Sequence, residues 1–330
     1  MQAVVITRPG GPEVLELRDV ERPEPGVGEV LVRVRATALN RADLMQREGR
    51  YPPPPGAPVD IPGLEFAGEV TGLGPGVREW NDGDPVFGIT GGGAYAEYLV
   101  AHERTLAAIP ASLDWTDAAA VPEAFVTAHD ALVTQAAVRA SDRVLIHAIG
   151  SGVGLAALQL ARAVGAVPFG TSRTQDKIQR ARDFGLEDGI ALGGDPGALA
   201  DAVSRWTDGR GVDVVLDLVG GAYVEAGVAA LAPRGRLILI GTVAGAQTPL
   251  DLRRVLTRRL TIRGTVLRAR PLEEKILATR AFAAQVVPLL AREVVVPVID
   301  SVFSLSQIAD AHRHLESNAT FGKVVVRIGE

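Results

Sequence analysis

Between residues 143 and 266 the chain alternates short apolar runs with stretches of helical spacing. The apolar runs are 143–148 (RVLIHA), 167–171 (VPFGT), 189–192 (GIAL), 213–218 (DVVLDL), 236–241 (RLILIG) and 260–266 (LTIRGTV). Helical patterns lie between them at 153–164, 175–184, 197–206, 221–231 and 249–258. Strands that are apolar throughout belong in a parallel sheet covered on both faces. Six of them, with helices between, predict an α/β doubly wound sheet. The first ~120 residues carry a different rhythm, in which β-type runs (AVVITR, EVLVRVRATAL, FAGEVTGLG, AEYLVA) are separated by Gly/Pro segments such as RPEPGVGE and GLGPGVREWNDGD. That predicts a mainly antiparallel, partly barrel-like domain. The tail, VVVPVIDSVFSLSQIADAHRHLESNATFGKVVVRI, predicts a strand, a helix at about 305–317 and a last strand that rejoins the first domain.

Composition narrows the function classes. At 330 residues the chain has room for two domains. Net charge is 34 − 39 = −5, so a nucleic-acid partner gains no electrostatic attraction. No run of ~18 apolar residues occurs, so no membrane span or membrane partner is expected. The opening MQAVVITRPGGPEVLELRD reads as a strand and a turn, not as a charged-then-apolar leader, and a cytoplasmic location is the default expectation. There is no cysteine, which excludes disulfides, thiolate nucleophiles and cysteine–zinc sites.

The stretch HAIGSGVGLAALQLARAVGA, residues 147–166, follows one apolar run and opens an amphipathic one. Gly150, Gly152 and Gly154 are spaced G-x-G-x-G, whereas the dinucleotide fingerprint is G-x-G-x-x-G. Aligned on the strand end, the fingerprint positions fall at Ile149, Ser151 and Gly154, so only the third glycine is kept. The strand-to-helix setting is still that of a dinucleotide loop, with the backbone of Gly150, Ser151, Gly152, Val153 and Gly154 and the helix dipole meeting a pyrophosphate. A glycine-rich turn without a ligand is the other reading. The next strand ends in GTSRTQDK, with no acid to bond a ribose 2′-OH. Ser172, Arg173 and Lys177 instead offer a hydroxyl and two cations, a site for a 2′-phosphate, which points to NADPH.

With these residues in view the chain resembles the zinc-free, zeta-crystallin-like quinone oxidoreductases of the medium-chain dehydrogenase/reductase superfamily. The resemblance runs over nearly the whole chain. It is carried by ALNRADLMQREGRY, PGLEFAGEV, GDPVFG, GGGAYAEYLV, AAAVPEAFVTAHDAL, VLIHAIGSGVGLAALQLARAVGA, VVLDLVGG and HLESNATFGKVVV. It implies a GroES-like, mainly β catalytic domain (1–121 and 267–330) interrupted by a Rossmann NADPH-binding domain (122–266). Zinc-dependent relatives carry a histidine and a cysteine where this chain has Leu64 and Asn40. Leucine cannot ligate and an amide ligates poorly, so no catalytic metal is expected.

Hydride transfer asks for geometry and a stabilised oxyanion more than for acid–base groups, and a quinone needs no Lewis acid. The resemblance implies Asn40, Asp43 and Tyr51 as the catalytic set, with Tyr51 a hydroxyl donor or a stacking ring. A turn-packing Tyr51 and a helix-capping Asp43 are the structural alternatives. It also implies cofactor contacts from Thr127, from Gly241, from Leu267 in GTVLRAR, and from Asn318 or Lys323 beside ATFG; Lys323 reads equally as a surface charge. Ser151 is expected to add a hydroxyl bond to a phosphate oxygen. The implied activity is NADPH-dependent reduction of quinones, ortho-quinones first. Its rivals are reduction of an enoyl or alkenal double bond, and a non-catalytic NADPH-binding role. The partners implied are a small-molecule quinone or activated carbonyl and a second copy in a homodimer, paired along RRLTIRGTVL.

Overall fold

A computed structural model describes residues 1–329 as two compact units. One comprises Met1–Val126 and the chain from Leu267 on; the other is Thr127–Val266. The first changeover lies inside the helix Pro122–His129, a few residues past the 121–122 boundary that the resemblance implies.

In the first unit Glu29–Ala38 is the organising strand. It pairs antiparallel with Glu65–Leu73, Tyr98–His102 and Lys323–Arg327. Pro85–Ile89 and Leu106–Ala108 extend the sheet on one side, and Ile299–Ser304, parallel to Lys323–Arg327, on the other. Gln2–Ile6 and Leu15–Asp19 form a separate antiparallel pair. The core holds Val30, Val32, Val34, Phe66, Val70, Tyr95, Val324 and Val326, inward positions that alternate along the strands. The expected helix near 305–317 is Ile308–Glu316. The 14-residue helix Leu272–Gln285 is not foreshadowed by the sequence pattern, since charged and apolar residues are spread around it.

The second unit is a six-stranded parallel sheet. Its order is Asp188–Ala191, Val167–Ser172, Arg143–Ile146, Val212–Asp217, Leu231–Leu239, Thr261–Gly264. Numbered by appearance this is 3-2-1-4-5-6, the Rossmann order, in which ligands bind at the carboxyl ends beside strands 1 and 4. The two central strands bury Val144, Leu145, Ile146, Val214, Val215 and Leu216 completely, as coverage on both faces requires. The fifth strand starts earlier than its apolar run, at Leu231, which pairs with Val212 ahead of a register shift before Arg236 pairs with Val214.

Candidate active site

Three strands of the first unit bring three polar residues to one place. Val325 pairs with Ala38, so carrying the antiparallel register on by two residues sets Lys323 opposite Asn40. Phe66 pairs with Thr37, which puts Glu65 opposite Ala38. The side chains meet accordingly. Lys323 Nζ donates to Glu65 Oε1 at 2.6 Å, Asn40 Oδ1 at 2.7 Å and the Leu39 carbonyl at 2.8 Å. Asn40 Nδ2 donates to the same Glu65 Oε1 at 2.8 Å, and Glu65 Oε2 accepts the Glu123 backbone N–H at 2.8 Å. All three ammonium protons are therefore used within the protein. Lys323 is neither a surface charge nor a free cation for a cofactor phosphate, and both expectations for it are corrected.

Asn40 and Asp43 belong to one capping box on the helix Arg41–Arg47. Asn40 is the N-cap, and Asp43 accepts its backbone N–H at 2.7 Å and that of Gly63 at 3.3 Å. Asp43 is 0% exposed, and through the Asn40 N–H it fixes the start of the helix. Burial pushes its carboxyl up to about 6, against the pull of the Asn40 N–H and Lys323. The neighbouring Tyr95 phenol is driven well above its ordinary value by burial and then by Asp43.

Tyr51 is half-buried, and the Arg268 guanidinium carbon lies 4.9 Å from its ring centre. Arg268 is held by the Gly91 carbonyl (2.9 and 2.7 Å) and Gln46 Oε1 (2.5 Å). Burial raises the Tyr51 phenol, Arg268 opposing. Glu65, Glu123, Tyr95 and Arg268 escaped the sequence reading. Glu65 carried a signal, the acid of GLEFAG directly after Leu64; Arg268 stands next to the nominated Leu267. Leu267 itself is buried at the point where the chain re-enters the first unit. Asn318 adopts a left-handed φ of 60° just past the helix Ile308–Glu316, where it caps that helix.

In the second unit Ser151 is the N-cap of the helix Gly152–Ala163, its Oγ accepting the Gly154 N–H at 3.1 Å. The Ser151 oxygen serves the helix, and its hydroxyl proton is the part that a phosphate oxygen could accept. The N–H groups of Gly152 and Val153 have no intrahelical acceptor by position, and these are the donors an anion would meet. Gly150 sits in the turn before them. A Cβ on Gly154 would come within 2.5 Å of the Ala148 carbonyl, so the one retained fingerprint glycine serves the packing of helix on strand. Gly241 meets the same demand: a Cβ there would lie 2.7 Å from the Leu218 carbonyl. Thr127 lies on the helix Pro122–His129, nearly buried. Ser172 ends the second Rossmann strand, buried; Arg173 follows it, exposed and making no hydrogen bond or ion pair with another described residue. Lys177 lies in the first turn of the helix Gln175–Arg182. Loop, cap and cation together fit a dinucleotide.

Residues 26–111 match the alcohol dehydrogenase GroES-like domain, and residues 152–283 the zinc-binding dehydrogenase family. The quinone oxidoreductase of Pseudomonas aeruginosa is 36% identical over 96% of both chains. That of Lama guanicoe is 32% identical over 99% of this chain and 97% of its own. The chain belongs to the quinone oxidoreductase family of medium-chain dehydrogenases/reductases. The Mycobacterium tuberculosis phthioceranic/hydroxyphthioceranic acid synthase is 40% identical over 72% of this chain, which spans 11% of that protein's length. Among solved structures, an NAD-dependent alcohol dehydrogenase is 34% identical with a TM-score of 0.86 over all of both chains. A mycobacterial protein solved with NADPH is 31% identical (TM-score 0.87, 99% of each chain). The JamJ enoyl reductase is 26% identical (TM-score 0.85, 99% of each chain). This quinone oxidoreductase relative thus shares the family's GroES-like and Rossmann folds.

Proposed function

We propose that the chain is an NADPH-dependent reductase that transfers hydride to a quinone, ortho-quinones being the first candidates, without a metal. The observation that carries this reading is the Asn40–Glu65–Lys323 triad. Zinc-dependent relatives have metal ligands at positions 40 and 64; here position 64 is a buried leucine and the Asn40 oxygen already binds an ammonium. An acceptor must therefore be electrophilic without a Lewis acid, as quinones and conjugated carbonyls are. NADPH, when bound, supplies the hydride. Gly152 and Val153 would bind its pyrophosphate, and Ser172, Arg173 and Lys177 its 2′-phosphate. In the first unit Tyr51 would present its ring, backed by the buried Arg268 guanidinium, to a planar, electron-poor acceptor. The residues of the first unit form the substrate domain in this reading, and 127–266 the cofactor domain.

Reduction of an enoyl or alkenal double bond is the second reading, favoured by the likeness to the enoyl reductase. A panel of ortho- and para-quinones and trans-2-enals, followed by NADPH oxidation, separates the two. Turnover of quinones well above enals is expected; enals as the better substrates would replace the first reading by the second, and NADPH binding with no turnover would leave a non-catalytic role.

We also propose a homodimer. The strand Thr261–Gly264 has a free edge, all four of its residues are exposed, and the adjoining helix exposes Leu252 (72%) and Leu256 (77%). An unpaired edge flanked by apolar side chains suits pairing with a second copy. Light scattering at micromolar concentration should give twice the chain mass; a monomer refutes it. No helix among the described residues is long and apolar enough to cross a membrane, and a cytoplasmic location remains part of the proposal.

A further inference from the structure

Three carboxyl groups crowd the cluster of the first unit, and they differ in access. Asp43 and Glu65 are 0% exposed, and their oxygens accept hydrogen bonds from the protein. Glu123 is only partly buried, and its carboxyl makes no hydrogen bond or ion pair with another described residue. Its backbone is nevertheless fixed, because its N–H is bonded to Glu65 Oε2 at 2.8 Å in the first turn of the helix Pro122–His129. The charged groups facing it are Glu65 and Asp43 on one side of the balance and Lys323 and Arg268 on the other, with Tyr51 close by. Both cations have their donors committed elsewhere: Lys323 to Leu39, Asn40 and Glu65, Arg268 to Gly91, Gln46 and the Tyr51 carbonyl. An acid so placed meets two buried carboxylates and no free donor. Burial, then Glu65, push its carboxyl up to about 8, so it stays protonated at neutral pH.

We propose that Glu123 is the proton donor to the reduced acceptor. The inference rests on the reductase reading above and assigns the proton that this reading leaves unplaced. Reduction of a quinone adds a hydride, two electrons and one proton, from the dinucleotide, and leaves one oxygen negative. The Glu123 O–H bond breaks, a new O–H bond forms on that oxygen, and the products are the diol, NADP⁺ and the Glu123 carboxylate. Water returns a proton to the carboxylate. With an enal the same proton goes to the α-carbon. Tyr51, whose phenol burial raises, is a poorer acid near neutrality and serves to orient the acceptor.

The isostere Glu123→Gln keeps the neutral charge and the shape and removes the transferable proton, so it should fold as the wild type does. Expected for E123Q is a fall in kcat of at least ~100-fold with the Kd for NADPH unchanged. In the wild type kcat should be flat up to about pH 8 and fall above it as Glu123 ionises, a limb that E123Q lacks and Glu123→Asp restores with part of the activity. Infrared difference spectra of the nucleotide-free proteins at neutral pH should show a protonated carboxyl in the wild type that is missing from E123Q. An active wild type whose E123Q variant keeps both its rate and its alkaline limb overturns the proton-donor role and leaves the reductase reading standing. A wild type that reduces no acceptor overturns the reductase reading and the proton-donor role with it.

Discussion

Lys323→Met should destabilise the folded chain by about 3–5 kcal/mol, the cost of leaving a buried carboxylate without its cation. Glu65 is 0% exposed, and besides Lys323 its carboxylate has, among the described residues, the Asn40 amide and the Glu123 N–H for partners. Lys323→Met combined with Glu65→Gln should recover much of the loss, because the uncompensated charge is gone. Urea unfolding of the single and double variants measures both expectations. A K323M deficit below ~1 kcal/mol at neutral pH, the size of an exposed ion pair, would show that the pair is not buried in solution.

Arg173→Ala should weaken NADPH binding by ~10-fold or more and leave NADH binding unchanged, the loss of a charge-assisted bond worth roughly 1.5 kcal/mol or more. The two cofactors differ only in the 2′-phosphate, so NADH corrects for any general damage to the loop. Arg173 directly follows the second Rossmann strand, where an NAD site carries an acid, and it is exposed. Exposure places the effect at the low end of the range and makes it salt-sensitive. Calorimetric titration of both cofactors into both proteins decides the matter. Equal losses for the two, or none for NADPH, would remove Arg173 from the cofactor site and reopen the choice between NADPH and NADH.

The parallel sheet was legible because its central strands are buried on both faces and each strand is separated from the next by a helix. The dinucleotide loop was legible without its standard spacing because Gly154 alone does the close packing, while Ser151 does the capping. Leu64 and Asn40 spoke plainly about metal ligation, since that depends on residue type and nothing else. The substrate-side cluster was only half visible. Asn40 and Asp43 stand near each other in the chain and share a helix start, a local relation that a sequence carries. Glu65, Glu123, Arg268 and Lys323 come from distant segments, and strand register and a helix start bring them together. Their exposure, their partners and hence their charge states arise only when those segments are packed. By itself, then, the sequence determined the fold class, the nucleotide loop and the residue types at the metal positions, because each rests on local pattern or on the chemistry of one side chain. The tertiary structure alone decided that Lys323 is a buried counter-ion, that Asp43 is a fully buried member of the Asn40 capping box, and that Glu123 is the partly buried acid among fully buried ones. Burial and pairing across hundreds of residues are properties of the folded chain, and they set which of these groups is left to react.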